Sequence, residues 1–246
     1  MEIKRKGGRA YDEIRELKIT KNFLKFAKGS CLIELGDTKV ICAVNYEDKV
    51  PQWLKDTGNG WITAEYSLLP SATTERIQRS TILSGRTQEI QRMIGRSLRG
   101  IVDLKRIGER TFWIDCDVIQ ADGGTRIASV IGGFVALVEC FNKMKNLGLI
   151  RVPVLKDYIG AISVGIVQGN LLLDLDYSED SLASVDMNIV MTGNGEFIEI
   201  QGTAEGYPFT KKQLEQLLSL AEKGIKKIIE IEKEVLKDEI MFLLGD

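Results

Sequence analysis

Three stretches of the chain carry residue types that can do chemistry on charged substrates. Gln120-Ala121-Asp122-Gly123-Gly124-Thr125-Arg126 lies between a strand-like run and an apolar helix-like run. Glycines let the backbone approach an anion closely, and the free N–H groups of a helix start point outward at it. Thr125 adds a hydroxyl donor, and Arg126 adds a planar fork that matches phosphate oxygens. By spacing alone, the same stretch also reads as an ordinary strand-to-helix turn with a solvated arginine. The second stretch is rich in arginine: Arg76, Arg79, Arg86, Arg92, Arg96, Arg99, Arg106 and Arg110. Arg92, Arg96 and Arg99 fall at helical spacing opposite an apolar face. That pattern suits RNA phosphates as well as a solvated, ion-paired helix face. The third stretch is the acidic run Asp174, Asp176, Glu179, Asp180 and Asp186, spread over a strand end, a turn with Ser181 and Ser184, and the next strand. Two carboxylates gathered there would bind Mg²⁺, which prefers oxygen ligands, or one would hold a raised pKa and act as an acid. A polar turn between strands is the alternative.

Composition narrows the chemistry further. The chain of 246 residues has no histidine. A histidine general base, a Ser-His-Asp triad and histidine metal ligands are therefore excluded, and acid–base work falls to carboxylates, Lys, Tyr, Cys or a bound ion. The four cysteines, Cys31, Cys42, Cys116 and Cys140, are scattered through apolar runs and read as buried, reduced thiols of a cytoplasmic protein. With 44% hydrophobic and 28% charged residues the chain reads as globular. No signal peptide and no membrane-spanning stretch are expected. The formal net charge is −2, so any surface for nucleic acid must be local.

These groups must be positioned by regular elements. Ser30–Leu35 and Lys39–Val44 read as a hairpin about Gly36-Asp37-Thr38. Trp61–Ser67 reads as a strand, and residues 70–84 as an exposed loop. From Thr87 the apolar residues Ile90, Ile94, Leu98, Ile101 and Leu104 recur at helical spacing. Glu109–Gln120 alternates as a strand. Thr125–Met144 is apolar almost all round, which predicts a central buried helix. Tyr158–Val167, Leu171–Tyr177, Val185–Met191 and Phe197–Gln201 read as four strands. Thr210–Leu236 reads as a final helix with Thr210 as its N-cap. With no linker in view, residues 1–246 read as one α+β domain of two β-sheets with packed helices.

The stretches GNGWITAEYS (Gly58–Ser67), SGRTQEIQRMIGRSLR (Ser84–Arg99), IDCDVIQADGGTRIAS (Ile114–Ser129), EDSLASVDMNIVMT (Glu179–Thr192) and EIQGTAEGYPFT (Glu199–Thr210) together resemble the bacterial RNase PH family. The likeness runs collinearly from Gly8-Arg9 to the final helix. It implies the RNase PH fold, a βαβα unit like domain 2 of ribosomal protein S5, in rings of six built as trimers of dimers. It implies a phosphate-dependent 3′→5′ exoribonuclease, acting in the cytoplasm on RNA, above all the 3′ trailers of tRNA precursors. Inorganic phosphate is the co-substrate, nucleoside diphosphates leave, and the reverse reaction adds nucleotides. By the family pattern, Arg86, Gly124, Thr125 and Arg126 bind phosphate. Asp180 and Asp186 form the catalytic acidic site with Mg²⁺ or Mn²⁺. Arg76, Arg79, Arg92, Arg96 and Arg99 are the expected RNA contacts. The chain departs from the pattern at Ser71, where relatives usually carry a basic residue, and in a shorter loop up to Ser84. A catalytic subunit of an exosome-like ring and a non-catalytic RNA-binding ring protein are the alternatives. Retention of Arg86, Arg126, Asp180 and Asp186 speaks against the latter.

Overall fold

The computed structural model describes residues 4–79 and 84–245. The first sheet holds β1 (Leu17–Lys21), β2 (Gly29–Leu35), β3 (Thr38–Glu47), β4 (Trp61–Leu68) and β5 (Thr111–Gln120), in the order β1-β2-β3-β5-β4. The expected hairpin is β2–β3, with Gly36 at φ 55° in its turn. β4 runs parallel to β5 because α1 (Gly85–Ile101) lies between them in the chain. The second sheet holds β6 (Ile159–Val167), β7 (Asn170–Leu173), β8 (Ala183–Thr192) and β9 (Phe197–Ala204), in the antiparallel order β7-β6-β8-β9.

α2 (Thr125–Asn146) lies between the sheets, packed on β2, β3 and β5 of the first and on β6 of the second. Its close fit to the first sheet needs a glycine. A Cβ on Gly132 would stand 2.5 Å from Cys42 Sγ and 2.6 Å from Ile33. α2 also corrects an expectation, since it is long and apolar enough to cross a membrane. The reason is its place in the core, where 89% of its most apolar window is buried in the protein. α4 (Lys211–Met241) covers β6 and β7 and touches α2. Thr210 caps it as expected: its Oγ1 accepts from Gln213 N at 3.2 Å, and Gln213 reaches back to Thr210 N.

The structure departs from the sequence reading in several places. β7 stops at Leu173 instead of running to Tyr177. Asp174 turns left-handed (φ 55°) and the chain enters a one-turn helix, α3 (Tyr177–Asp180). α1 ends at Ile101, which leaves Leu104 in the following loop. β1 was not expected: Leu17 and Ile19 alternate with polar residues, but over only five residues with one buried side chain, a pattern too short to stand out. Of the expected loop, residues 80–83 lie outside the described part. The four cysteines are buried and unpaired by disulfides. Cys31, Cys42 and Cys116 face one another across β2, β3 and β5, with Cys42 and Cys116 sulfurs 3.8 Å apart.

Candidate active site

Gly123 and Gly124 follow β5 with φ of 75° and 69°, a conformation that side chains resist. Gly123 has a second reason to be glycine. A Cβ there would stand 2.7 Å from Asp176 C and Tyr177 N, so the turn and the β7–α3 connection touch backbone to backbone. Gly124 is the N-cap of α2, and no acidic residue sits in the helix's first turn. The end therefore keeps its positive partial charge and its free N–H groups. Thr125 Oγ1 lies 2.8 Å from the Tyr66 hydroxyl on β4. Arg126 is held by two elements. Its Nη1 donates to Gln201 Oε1 of β9 at 2.6 Å and to Glu89 Oε1 of α1 at 3.3 Å. Arg86, the second residue of α1, is exposed on the same cleft with no hydrogen-bond or ion-pair partner among the described residues.

The acids approach from the second sheet. Asp180 ends α3, which is fixed by a capping box between Asp176 and Glu179. Asp186 lies on β8, paired with Gly165 and Thr203 on its neighbours. Burial pushes the Asp186 carboxyl up to about 6, and the charge of Asp180 adds to this. Arg126 and Arg86 pull it back down, as does a hydrogen bond with Asn188. Asp180 is raised by desolvation and lowered by Arg86 and Arg126. The two arginines of the first half thus act on both carboxylates of the second.

The acidic run does not stay together. Asp174, Asp176 and Glu179 are buried and engaged by three arginines that the sequence reading left unassigned as a group, Arg5, Arg9 and Arg15. Arg5 binds Glu179 through two bonds of 2.7 and 2.8 Å. Arg15 holds Asp174 through Nε at 2.9 Å and Nη2 at 2.6 Å, and its Nη1 donates to Asp122 O at 2.6 Å. Arg15 therefore clamps the glycine turn to the segment leading into Asp180. The available signal was the density of basic residues, Lys4, Arg5, Lys6, Arg9 and Arg15, ahead of the first strand.

The expected RNA arginines separate as well. Arg76 and Arg79 are exposed and line the cleft, which has a volume of about 1800 Å³. Arg92, Arg96 and Arg99 do not line it. Arg92 is exposed on α1, and Arg96 pairs with Glu199 of β9 at 2.7 Å. Arg99 stacks over Trp61, 4.2 Å from the ring, and donates to Ile62 O at 2.7 Å. Helical spacing put the three on one face, but β4 and β9 flank that face and take up two of them. Glu65, Asp115 and Asp117 also line the cleft. Burial raises Asp115, helped by Glu65 and Asp117, and burial raises Asp117.

Two family models match the chain, the 3′ exoribonuclease family domain 1 over residues 13–141 and domain 2 over residues 157–224. Ribonuclease PH of Moorella thermoacetica is 56% identical over 237 residues, covering 95% of each chain. Ribonuclease PH of Syntrophomonas wolfei is 56% identical over 237 residues, covering 95% of this chain and 99% of its own. The chain belongs to the 3′ exoribonuclease, or RNase PH, family. Among solved structures, one chain of the RNA-bound Archaeoglobus fulgidus exosome superposes with a TM-score of 0.81 at 24% identity, covering 94% of this chain and 93% of that one. Rice Rrp46 superposes with a TM-score of 0.76 at 18% identity, covering 94% and 99%. At those identities the likeness is one of fold, and it bears out the RNase PH fold expected from the sequence.

The glycine turn and Arg126 belong to the family's domain 1 and the Asp180–Asp186 pair to its domain 2. The cleft joins cationic donors to carboxylates, an arrangement that can bind one anion and receive charge from a second. Among the described residues no group of three or more acidic or thiol side chains forms a metal cage. Asp180 and Asp186 have no direct cationic partner among the described ion pairs, and they repel each other. Two such carboxylates fit Mg²⁺ or Mn²⁺ where substrate oxygens and water complete the shell.

Proposed function

We propose that this chain shortens RNA from its 3′ end by phosphorolysis, with phosphate held by Arg86, Gly124, Thr125 and Arg126 and the leaving oxygen served by Asp180 and Asp186. The observation that carries the reading is that Arg86, Arg126 and the glycine turn line one cleft with Asp180 and Asp186. Phosphate is an anion that must approach an anionic diester. The two guanidinium groups and the N-terminus of α2 would hold it and offset the repulsion. Arg126 is pre-set by Gln201 and Glu89, so little reorganisation is needed when the anion arrives. A phosphate oxygen attacks the phosphorus of the last diester and the bond to the penultimate 3′-oxygen breaks. The products are a nucleoside diphosphate and an RNA one nucleotide shorter, ending in a 3′-hydroxyl. The leaving oxygen gains negative charge, and the acidic pair would deliver a proton or hold a cation there. A bound Mg²⁺ or Mn²⁺ would supply charge neutralisation at that oxygen. Positioning and electrostatics carry the reaction, and no histidine is needed.

Arg76 and Arg79 at the cleft mouth would track the RNA backbone, and tRNA precursors are the substrate we infer in the cytoplasm. The two family regions act as one unit, because Arg15 joins the phosphate turn to the acid segment. The homohexamer implied by the family resemblance would let exposed apolar side chains such as Trp53 (63%) and Leu147 (72%) pack against a second copy. The test is product analysis on single-stranded RNA with Mg²⁺, with and without inorganic phosphate. Nucleoside diphosphates formed only with phosphate are expected. Monophosphates without phosphate would mean hydrolysis, and bound but uncut RNA would mean a non-catalytic protein.

A further inference from the structure

Tyr66 lines the same cleft as the phosphate turn, from β4 rather than from the turn itself. Its residue is only 4% exposed, on β4 opposite Cys116 of β5, and its hydroxyl lies 2.8 Å from Thr125 Oγ1. Neither hydroxyl has another hydrogen-bond partner among the described residues. Each can donate one hydrogen, so the direction of this bond decides what Thr125 can offer the cleft. If Thr125 donated to Tyr66, it would present only lone pairs to an incoming anion. If Tyr66 donates, Thr125 keeps its own hydrogen for a phosphate oxygen. The phenol has no other acceptor, whereas phosphate offers several. The charges of Arg86 and Arg126 also reach Tyr66, which sets the pair beside the cationic side of the cleft.

We propose that Tyr66 is a positioning residue of the phosphate site, donating to Thr125 Oγ1 so that the Thr125 hydroxyl hydrogen is directed at the bound phosphate. The inference rests on the phosphate-site reading given above. It makes the two hydroxyls one unit: Tyr66 acts only through Thr125. Burial raises the Tyr66 pKa against the opposing pull of Thr125, Arg86 and Arg126, so the phenol keeps the proton it must donate near neutral pH.

A double-mutant cycle on the full-length enzyme tests this, with steady-state phosphorolysis of one RNA at varied phosphate. Tyr66→Phe should raise the KM for phosphate about three- to tenfold, the size of one neutral hydrogen bond. The loss should fall on that KM rather than on kcat or on the KM for RNA. Thr125→Val should raise the phosphate KM at least as much. The double variant should match Thr125→Val within about twofold, because without the threonine hydroxyl the phenol has nothing to orient. Losses that multiply in the double variant would overturn the relay and mean that Tyr66 acts on phosphate or on packing by itself. An unchanged phosphate KM in Tyr66→Phe, with Thr125→Val impaired, would overturn the inference and leave the phosphate site standing. An unchanged phosphate KM in Thr125→Val would overturn both.

Discussion

At the scale of the residue, Asp186 shows what the site costs the fold. Its folded-state pKa of about 6 lies above the ordinary 3.8, mainly through burial and then through Asp180. The sign follows from proton counting. Between those values the folded protein holds a proton that the unfolded chain has already lost. Stability therefore falls as pH rises from about 3.8 to about 6 and stays reduced above. Asp186→Asn should remove that penalty. In EDTA at pH 7.5 the variant should gain on the order of 1–3 kcal/mol in urea unfolding, with the gain vanishing below about pH 4. The same variant should lose turnover. A site residue whose replacement destabilised the metal-free protein at neutral pH would contradict the strained, mutually repelling pair described above. Asp186 and Asp180 were legible in the sequence as candidates, as were Arg86 and Arg126. The family resemblance singled out Asp180 and Asp186, but the engagement of Asp174 and Glu179 elsewhere was not legible, because it depends on arginines some 160 to 175 residues earlier in the chain.

At the scale of the element, local patterning was a good guide where an element meets the core on one face or on all. α2, with its near-continuous apolar sequence, and the β2–β3 hairpin, with its Gly-Asp turn, lie where the sequence placed them. The segment after Leu173 looked like more strand because Leu175 and Tyr177 keep the alternation. The Arg15–Asp174 clamp overrides that tendency by drawing Asp174 out of the sheet. α4 holds a second feature that periodicity could not expose. Glu232 is fully buried, and neither carboxylate oxygen has a hydrogen-bond partner among the described residues. Burial holds its pKa well above the ordinary 4.5. The folded protein therefore holds this proton more tightly than the unfolded chain does, and stability falls as pH rises above 4.5. Glu232→Leu should stabilise the protein, and its advantage should be larger at higher pH. Urea denaturation of both proteins at pH 5 and pH 8 would check it. An advantage equal at the two values would mean that Glu232 ionises as readily folded as unfolded.

At the scale of the whole molecule, charge is distributed against its total. A chain with a net charge of −2 must still attract a polyanion, and the cleft carries both signs of charge in its lining. Arg76, Arg79, Arg86 and Arg126 line it together with Glu65, Asp115 and Asp117. The carboxylates repel phosphodiesters, so the exposed Arg76 and Arg79 are the expected contacts of an entering RNA. Arg96 and Arg99 already have Glu199 and Trp61 as partners. Replacing both Arg76 and Arg79 by alanine should weaken single-stranded RNA binding at low salt and flatten the plot of log affinity against log salt. Each lost phosphate contact should reduce its slope by about 0.7. Arg96→Ala and Arg99→Ala should leave that slope unchanged, and Arg99→Ala should instead lower thermal stability by exposing Trp61. The phosphate KM should move little in the Arg76/Arg79 variant, because neither residue belongs to the glycine turn. A slope that fell with Arg96 or Arg99 but not with Arg76 and Arg79 would send the RNA along α1, outside the cleft that holds Asp180 and Asp186.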